Sequence, residues 1–224
     1  MNICRHPYSP WVSVAVPALL FILLGIYYPE LHLWDKTIAG LIGKASLVEG
    51  KNLPLTFIFL NWWGTKKGMF ATCTLGVASL FLFYRRIREG LLLAGGMLGG
   101  WVFLEVTKAL FHRRRPEGLY LFPAPGYSFP SGHAFVTFLF TTFFISLSLP
   151  LIYRQGRNSG HGWLKILLFS SYIILTALTL ATGWSRIYFG MHYPTDVLGG
   201  WLAGVFWAGL YNKIQAWYIR HTQR

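Results

Sequence analysis

Six apolar stretches, each close to the length that crosses a bilayer, dominate this 224-residue chain and leave little room for another architecture. A spanning helix needs about 20 apolar residues, because each residue rises about 1.5 Å through a hydrocarbon core about 30 Å thick. The stretches are Trp11 to Tyr28, Gly68 to Tyr84, Gly90 to Phe111, Ala134 to Tyr153, Trp163 to Trp184 and Thr195 to Tyr218. Lipid offers backbone N–H and C=O groups no water, so such segments must satisfy themselves as helices. The sequence therefore predicts an all-α fold, a polytopic membrane helical bundle with six transmembrane helices. Only 12% of the residues are charged, against about a quarter in a soluble domain. Ten tryptophans suit two membrane–water interfaces. No internal repeat interrupts the pattern, and residues 1–224 read as one membrane-embedded domain.

The first stretch reads as an uncleaved span, since Tyr27, Tyr28 and Pro29 follow it rather than a small-residue cleavage site. An even span count puts both termini on one side. The first connection, Pro29 to Lys67, is long and mixed. Leu31, Trp34, Ile38, Leu41 and Ile42 fall near one helical face, which suits an interfacial helix lying on the membrane or a plain surface helix. Lysine and arginine divide ten to each side, so the raw count orients nothing. The dense basic turns, Arg85 to Arg88 and Arg154 to Arg157, fall on the side of the termini. That side is expected in the cytoplasm, with the opposite face outside the cell (inner) membrane. The net charge of +13 sits in short segments between apolar runs, without a nucleic-acid motif. Anionic lipid rather than nucleic acid is the expected partner, and oligomeric state is not legible. Cys4 and Cys73 lie in different environments, so no disulfide is expected.

Three polar clusters fall at the ends of spans, all on the side opposite the termini. Charges beside a span are costly and tend to be functional. In Pro130-Ser131-Gly132-His133, Ser131 is placed to cap the fourth span. The backbone N–H groups beyond it would form an anion site at the positive end of the helix dipole, and Gly132 lets an anion approach closely. Alone, the same residues describe a capped helix start with a structural histidine. In His192-Tyr193-Pro194-Thr195-Asp196, Pro194 suits the first helical position and Asp196 the third. Asp196 could then orient His192 and leave its other nitrogen as nucleophile or base, or simply close a capping box. Lys108, Arg115 and Arg186 supply fixed positive charge suited to phosphate oxygens, whereas Arg113 and Arg114 read as a basic juxtamembrane anchor. Glu105, three residues before Lys108, is placed either to pair with it or to face a polar cavity. His6, His32, His161 and His221 have no partnered spacing and read as surface histidines.

At these residues the chain resembles the type 2 phosphatidic-acid phosphatase family. Its motifs are Lys-x(6)-Arg-Pro, Pro-Ser-Gly-His and Ser-Arg-x(5)-His-x(3)-Asp. They match Lys108 with Arg115-Pro116, Pro130 to His133, and Ser185-Arg186 with His192 and Asp196, at every spacing. The resemblance implies a lipid phosphatase with His192 as nucleophile through a phosphohistidine, Asp196 orienting it, and His133 as general acid. Lys108, Arg115, Ser131, Gly132 and Arg186 would bind the phosphate, while the role of Ser185 stays open. It also implies metal-independent chemistry with no cofactor. Substrates in related proteins are undecaprenyl pyrophosphate, phosphatidic acid, phosphatidylglycerol phosphate or lipid A phosphates. Transfer to an acceptor hydroxyl through the same intermediate is the alternative, and a non-enzymatic transporter the remote one.

Overall fold

The structure, a computed structural model, describes residues 11–42, 54–85, 87–117, 122, 124–154 and 162–222. Among the described residues the chain is all helical. The elements are α1 (Val12–Tyr27), α2 (His32–Ile42), α3 (Leu55–Trp63), α4 (Lys66–Tyr84), α5 (Ile87–Phe111), α6 (Gly132–Arg154), α7 (Gly162–Tyr188) and α8 (Pro194–Thr222). Cys4, His6, His161 and the end of the expected interfacial segment, residues 43–45, lie outside the described residues.

Local chemistry explains the boundaries. Thr65 caps α4, its Oγ1 accepting from Gly68 N at 3.1 Å. Arg85 ends α4 in the left-handed region at φ 53°, and α5 restarts at Ile87, taking Arg88 and Glu89 from the expected basic turn into a helix. Pro194 opens α8 at the first helical position, where its missing N–H costs no bond. One boundary differs usefully from the sequence reading. α7 runs on to Tyr188, so Ser185 and Arg186 occupy its last turn rather than a loop. A cation there meets the negative end of the helix dipole.

Three segments, Ile87–Phe111, Gly132–Leu149 and Lys165–Tyr188, are long and apolar enough to cross a membrane. α1 and α2 qualify only together, as a pair bent by 94°. α4 and α8 are not among these segments; α8 falls short of the same measure because it carries Trp201, Trp207, Tyr211, Asn212 and many glycines. The bundle's exterior is nevertheless apolar. Phe70 and Leu75 of α4, Leu98 and Leu110 of α5, and Ile166 and Ile173 of α7 are all well exposed. A surface of this kind belongs against lipid tails rather than water, and the chain is a membrane protein.

The interior is aromatic. Phe21 of α1 stacks on Phe129 at 5.5 Å, Phe111 meets Phe129 edge-on at 5.0 Å, and Phe103 stacks on Trp207 of α8 at 5.2 Å. α8 packs chiefly against α6 and α1, and small residues allow the approach. A Cβ on Gly200 would stand 2.7 Å from Ser131 O, so only glycine lets α8 meet the start of α6.

The first connection begins with α2, which follows α1 after a 94° bend. α2 buries Asp35 and packs Ala39 and Ile42 against Ile187 and Val197. Its other side exposes Leu33, Trp34, Ile38 and Leu41. The sequence reading did not anticipate α3, which fills the same connection with Leu55–Trp63.

Candidate active site

One end of the bundle gathers α2, the end of α3, the C-termini of α5 and α7, and the N-termini of α6 and α8. The three polar clusters meet there. Lys108, on the last turn of α5, donates from Nζ to Tyr127 O at 2.8 Å. Arg115 donates from Nε to Gly126 O at 3.1 Å and from Nη1 to Met191 O at 2.9 Å and His192 Nε2 at 3.0 Å. Ser131 N donates to Asp196 O at 2.9 Å, tying the second cluster to the third.

The hydrogen bonds fix the tautomer of His192. A guanidinium can only donate, so Nε2 presents its lone pair to Arg115 and Nδ1 carries the proton. Nδ1 lies 3.4 Å from Asp196 Oδ2. His192 is almost wholly buried. Burial pushes its pKa down to about 3, with Asp196 opposing the shift and Arg115 and Lys108 adding to it. The ring is therefore neutral at ordinary pH, and its contact with Asp196 is a hydrogen bond rather than an ion pair. Neutral imidazole with an unprotonated Nε2 is the nucleophilic form.

Asp196 is saturated. Oδ2 accepts from Tyr193 N at 2.8 Å and from Ser128 Oγ. Oδ1 accepts from Arg113 Nη1 at 2.7 Å. One side chain thus both holds the backbone N–H of Tyr193 and faces Nδ1 of His192.

His133 opens α6. Its Nε2 lies 3.0 Å from Asn61 O; a carbonyl only accepts, so Nε2 carries a proton and Nδ1 is the nitrogen not committed to that bond. The side chain of Asn61 serves the other cluster, accepting from Arg186 Nη1 at 2.8 Å. Arg186 is fully buried and also donates from Nη2 to Ser185 Oγ at 3.0 Å. Ser185 donates in turn to Thr182 O at 2.7 Å. This gives Ser185 the role that sequence left open, holding the Arg186 fork.

Ser131 departs from expectation. Its Oγ is buried and has no hydrogen-bond partner among the described residues, so it caps no helical N–H. The hydroxyl is left available to a ligand. Gly132 follows with room beside it, since a Cβ there would meet nothing nearer than Leu104 Cδ2 at 3.5 Å and Lys108 Cε at 3.8 Å.

Several contributors escaped the sequence reading. Arg113, expected as a surface anchor, is buried and bonds Asp196, Thr195 and Asp35. Only its neighbour Arg114 stays exposed. Asp35, Asn61 and Ser128 are likewise part of the site's frame. Glu105 pairs not with Lys108 but with Lys66 at 3.6 Å, and accepts from Trp101 Nε1 at 3.1 Å. His32 packs edge-on against Tyr193 at 5.4 Å.

The fold and this buried polar end define the class first: an α-helical membrane protein with cations, histidines and a carboxylate gathered at one end of the bundle. The chain belongs to the PAP2 superfamily, whose family model matches residues 89–220, more than half its length. That region includes all three motifs and leaves α1 to α4 outside it. Phosphatidylglycerophosphatase B of Bacillus subtilis is 30% identical over 126 residues, an alignment covering 55% of this chain and 56% of that protein. The chain thus matches only about half the length of that relative. An undecaprenyl-diphosphatase of Sulfolobus acidocaldarius is 27% identical over 93% of this chain and 92% of its own. A crystal structure of a transmembrane PAP2 type phosphatidylglycerolphosphate phosphatase from Bacillus subtilis superposes with a TM-score of 0.68 at 24% identity. It covers 91% of this chain and 96% of that one, and so matches in fold.

Proposed function

We propose that this protein is a metal-independent phosphatase that cleaves a phosphate or pyrophosphate monoester of a membrane lipid through a phosphohistidine at His192. The observation that carries the reading is the His192 geometry: a buried neutral ring, Nδ1–H toward Asp196, and the Nε2 lone pair on a cation of the first cluster. Lys108, Arg115 and Arg186 would bind the phosphate oxygens, with Ser131 Oγ and the backbone at Gly132 adding neutral donors. Nε2 attacks phosphorus and the bond to the leaving oxygen breaks. His133, in its doubly protonated form, donates the Nδ1 proton to that oxygen while its Nε2–H stays on Asn61 O. Water then attacks the phosphohistidine, gives its proton to His133, and releases phosphate and the free imidazole.

Six spans in one domain complete the reading, with α2 seated in the interface by Leu33, Trp34, Ile38 and Leu41. The site faces outside the cytoplasmic membrane. Names of relatives favour an undecaprenyl pyrophosphate or a phosphatidylglycerol phosphate as substrate. Purified protein in detergent, supplied with chelator and no metal, should release phosphate from at least one among a polyprenyl pyrophosphate, phosphatidic acid and phosphatidylglycerol phosphate. Activity that appears only on adding a divalent metal would overturn the metal-independent reading. Phosphate appearing on an added lipid alcohol instead of in water would make the enzyme a transferase.

A further inference from the structure

Behind Asp196, the carboxylate that faces His192, lie two further charges that the mechanism above does not use, Arg113 and Asp35. Arg113, Asp35 and Asp196 are all buried, at 2%, 1% and 0% exposure. The Arg113 guanidinium lies between two aromatic rings, 4.6 Å from the Tyr28 centroid and 4.4 Å from that of Tyr193. Its Nη1 donates to Asp196 Oδ1 at 2.7 Å and Thr195 Oγ1 at 2.6 Å, and its Nη2 to Asp35 Oδ2 at 2.6 Å. Asp35 Oδ1 accepts from Thr195 N at 3.0 Å, and its Oδ2 also accepts from Thr195 Oγ1 at 2.5 Å. Asp35 belongs to α2, upstream of the region the family model matches.

The charge arithmetic is what matters. An Arg113–Asp196 pair alone would be neutral, and the guanidinium would cancel the carboxylate that faces His192. Asp35 adds a second negative charge on the far side of Arg113. The cluster then carries one net negative charge, and the Asp196 carboxylate is both held in place and left electrically effective. A phosphoryl group bonded to Nε2 makes the imidazole positive for as long as Nδ1 keeps its proton. That charge appears during the reaction and is absent in the resting ring, so a fixed negative charge beside it favours the transition state over the ground state.

We propose that Asp35 and Arg113 are positioning residues for the phosphatase reaction: Arg113 clamps Asp196, and Asp35 offsets the clamp's charge so that Asp196 stabilises the developing positive charge on His192. This rests on the phosphatase reading, and deepens it by making the surface helix α2 part of the catalytic frame.

The test is a charge cycle on the full-length protein in detergent, with phosphatidic acid and a polyprenyl pyrophosphate as probes. Asp35→Asn keeps shape and an acceptor for Thr195 N while removing the charge. It should lower kcat about 10- to 100-fold, the range Coulomb's law gives for a unit charge several ångströms away at an effective dielectric near 20. KM should move less than about threefold, because phosphate binding uses other residues. Arg113→Gln should also lower kcat. The double variant should be more active than either single one, since it restores one net negative charge. A structural role for the pair predicts compounded losses instead. If Asp35→Asn yields no folded protein, the comparison of Arg113→Gln with the double variant decides alone. An active wild type whose Asp35→Asn variant keeps its kcat, or a double variant worse than both singles, overturns this inference and leaves the phosphatase reading standing. A wild type inactive on every probe overturns both.

Discussion

Gly64 offers a way to perturb the proposed acid without touching it. A Cβ placed there would stand 2.2 Å from Cδ2, 2.6 Å from Cγ and 2.8 Å from Cβ of His133. Carbon atoms settle at about 3.5 Å or more, so in Gly64→Ala the imidazole must retreat by roughly 1 Å. The backbone would not resist the substitution itself, because Gly64 has an ordinary φ of −82°. Retreat breaks the 3.0 Å bond from Nε2 to Asn61 O that orients the ring. A misplacement of about 1 Å at a reacting group costs on the order of 100-fold in rate. The overpacking itself should cost about 1 to 3 kcal/mol of stability, readable as a lower melting temperature. The informative assay compares leaving groups. An alkyl lipid phosphate needs its leaving oxygen protonated, whereas an aryl phosphate such as p-nitrophenyl phosphate departs without help. Gly64→Ala should lose about 100-fold in kcat on the lipid and less than about tenfold on the aryl ester. Equal losses on both substrates in folded protein would refute His133 as the acid, and an unaffected kcat on the lipid would refute the close packing of Gly64 on the ring.

Two further outcomes follow from the same geometry. The folded His192 titrates at about 3, below the ordinary imidazole value of 6.5. The stability linked to this group is therefore fully present above pH 6.5 and is lost as pH falls toward 3. Melting curves in detergent should be level above pH 6.5 and decline below it, and His192→Asn should flatten the decline; an identical decline in that variant would contradict the buried neutral ring. Asn61→Ala keeps the backbone carbonyl that holds His133 but removes the acceptor of Arg186 Nη1. It should destabilise the protein by about 1 to 3 kcal/mol and raise KM more than it lowers kcat. A large kcat loss at constant KM would show that the side chain serves His133 instead.

The residues proposed to handle phosphate were legible because their spacing is fixed by where helices start and stop. Pro194 at the first position of α8 places Asp196 at the third, and the local geometry then follows from sequence alone. The frame behind them was not legible for equally local reasons. Arg115 is marked by Pro116 after it, but nothing in the run tells Arg113 from Arg114. The distinction arises at His112, whose φ of 49° turns the chain after α5, so that Arg113 is buried and Arg114 exposed. Asp35 did leave a trace. It sits among Leu31, Trp34 and Ile38, where a carboxylate in an apolar stripe is costly unless paired. Its partner lies far along the chain, beyond what periodicity can reach. Asn61 left no trace, an amide in an aromatic segment whose partners Arg186 and His133 come from two other helices. The short Ser185 to Pro194 connection concealed the remaining turn of α7, because Ser185 and Arg186 are polar yet buried.

The central claim is that His192 Nε2 takes the phosphoryl group. It is tested most directly by mixing the protein with a lipid phosphate labelled at phosphorus, quenching in alkali, where phosphohistidine survives, and mapping the label by peptide mass spectrometry. The account predicts label on the peptide containing His192, its loss on acid treatment, and neither label nor turnover in His192→Asn. Label on another residue, or wild-type turnover in His192→Asn, would contradict it.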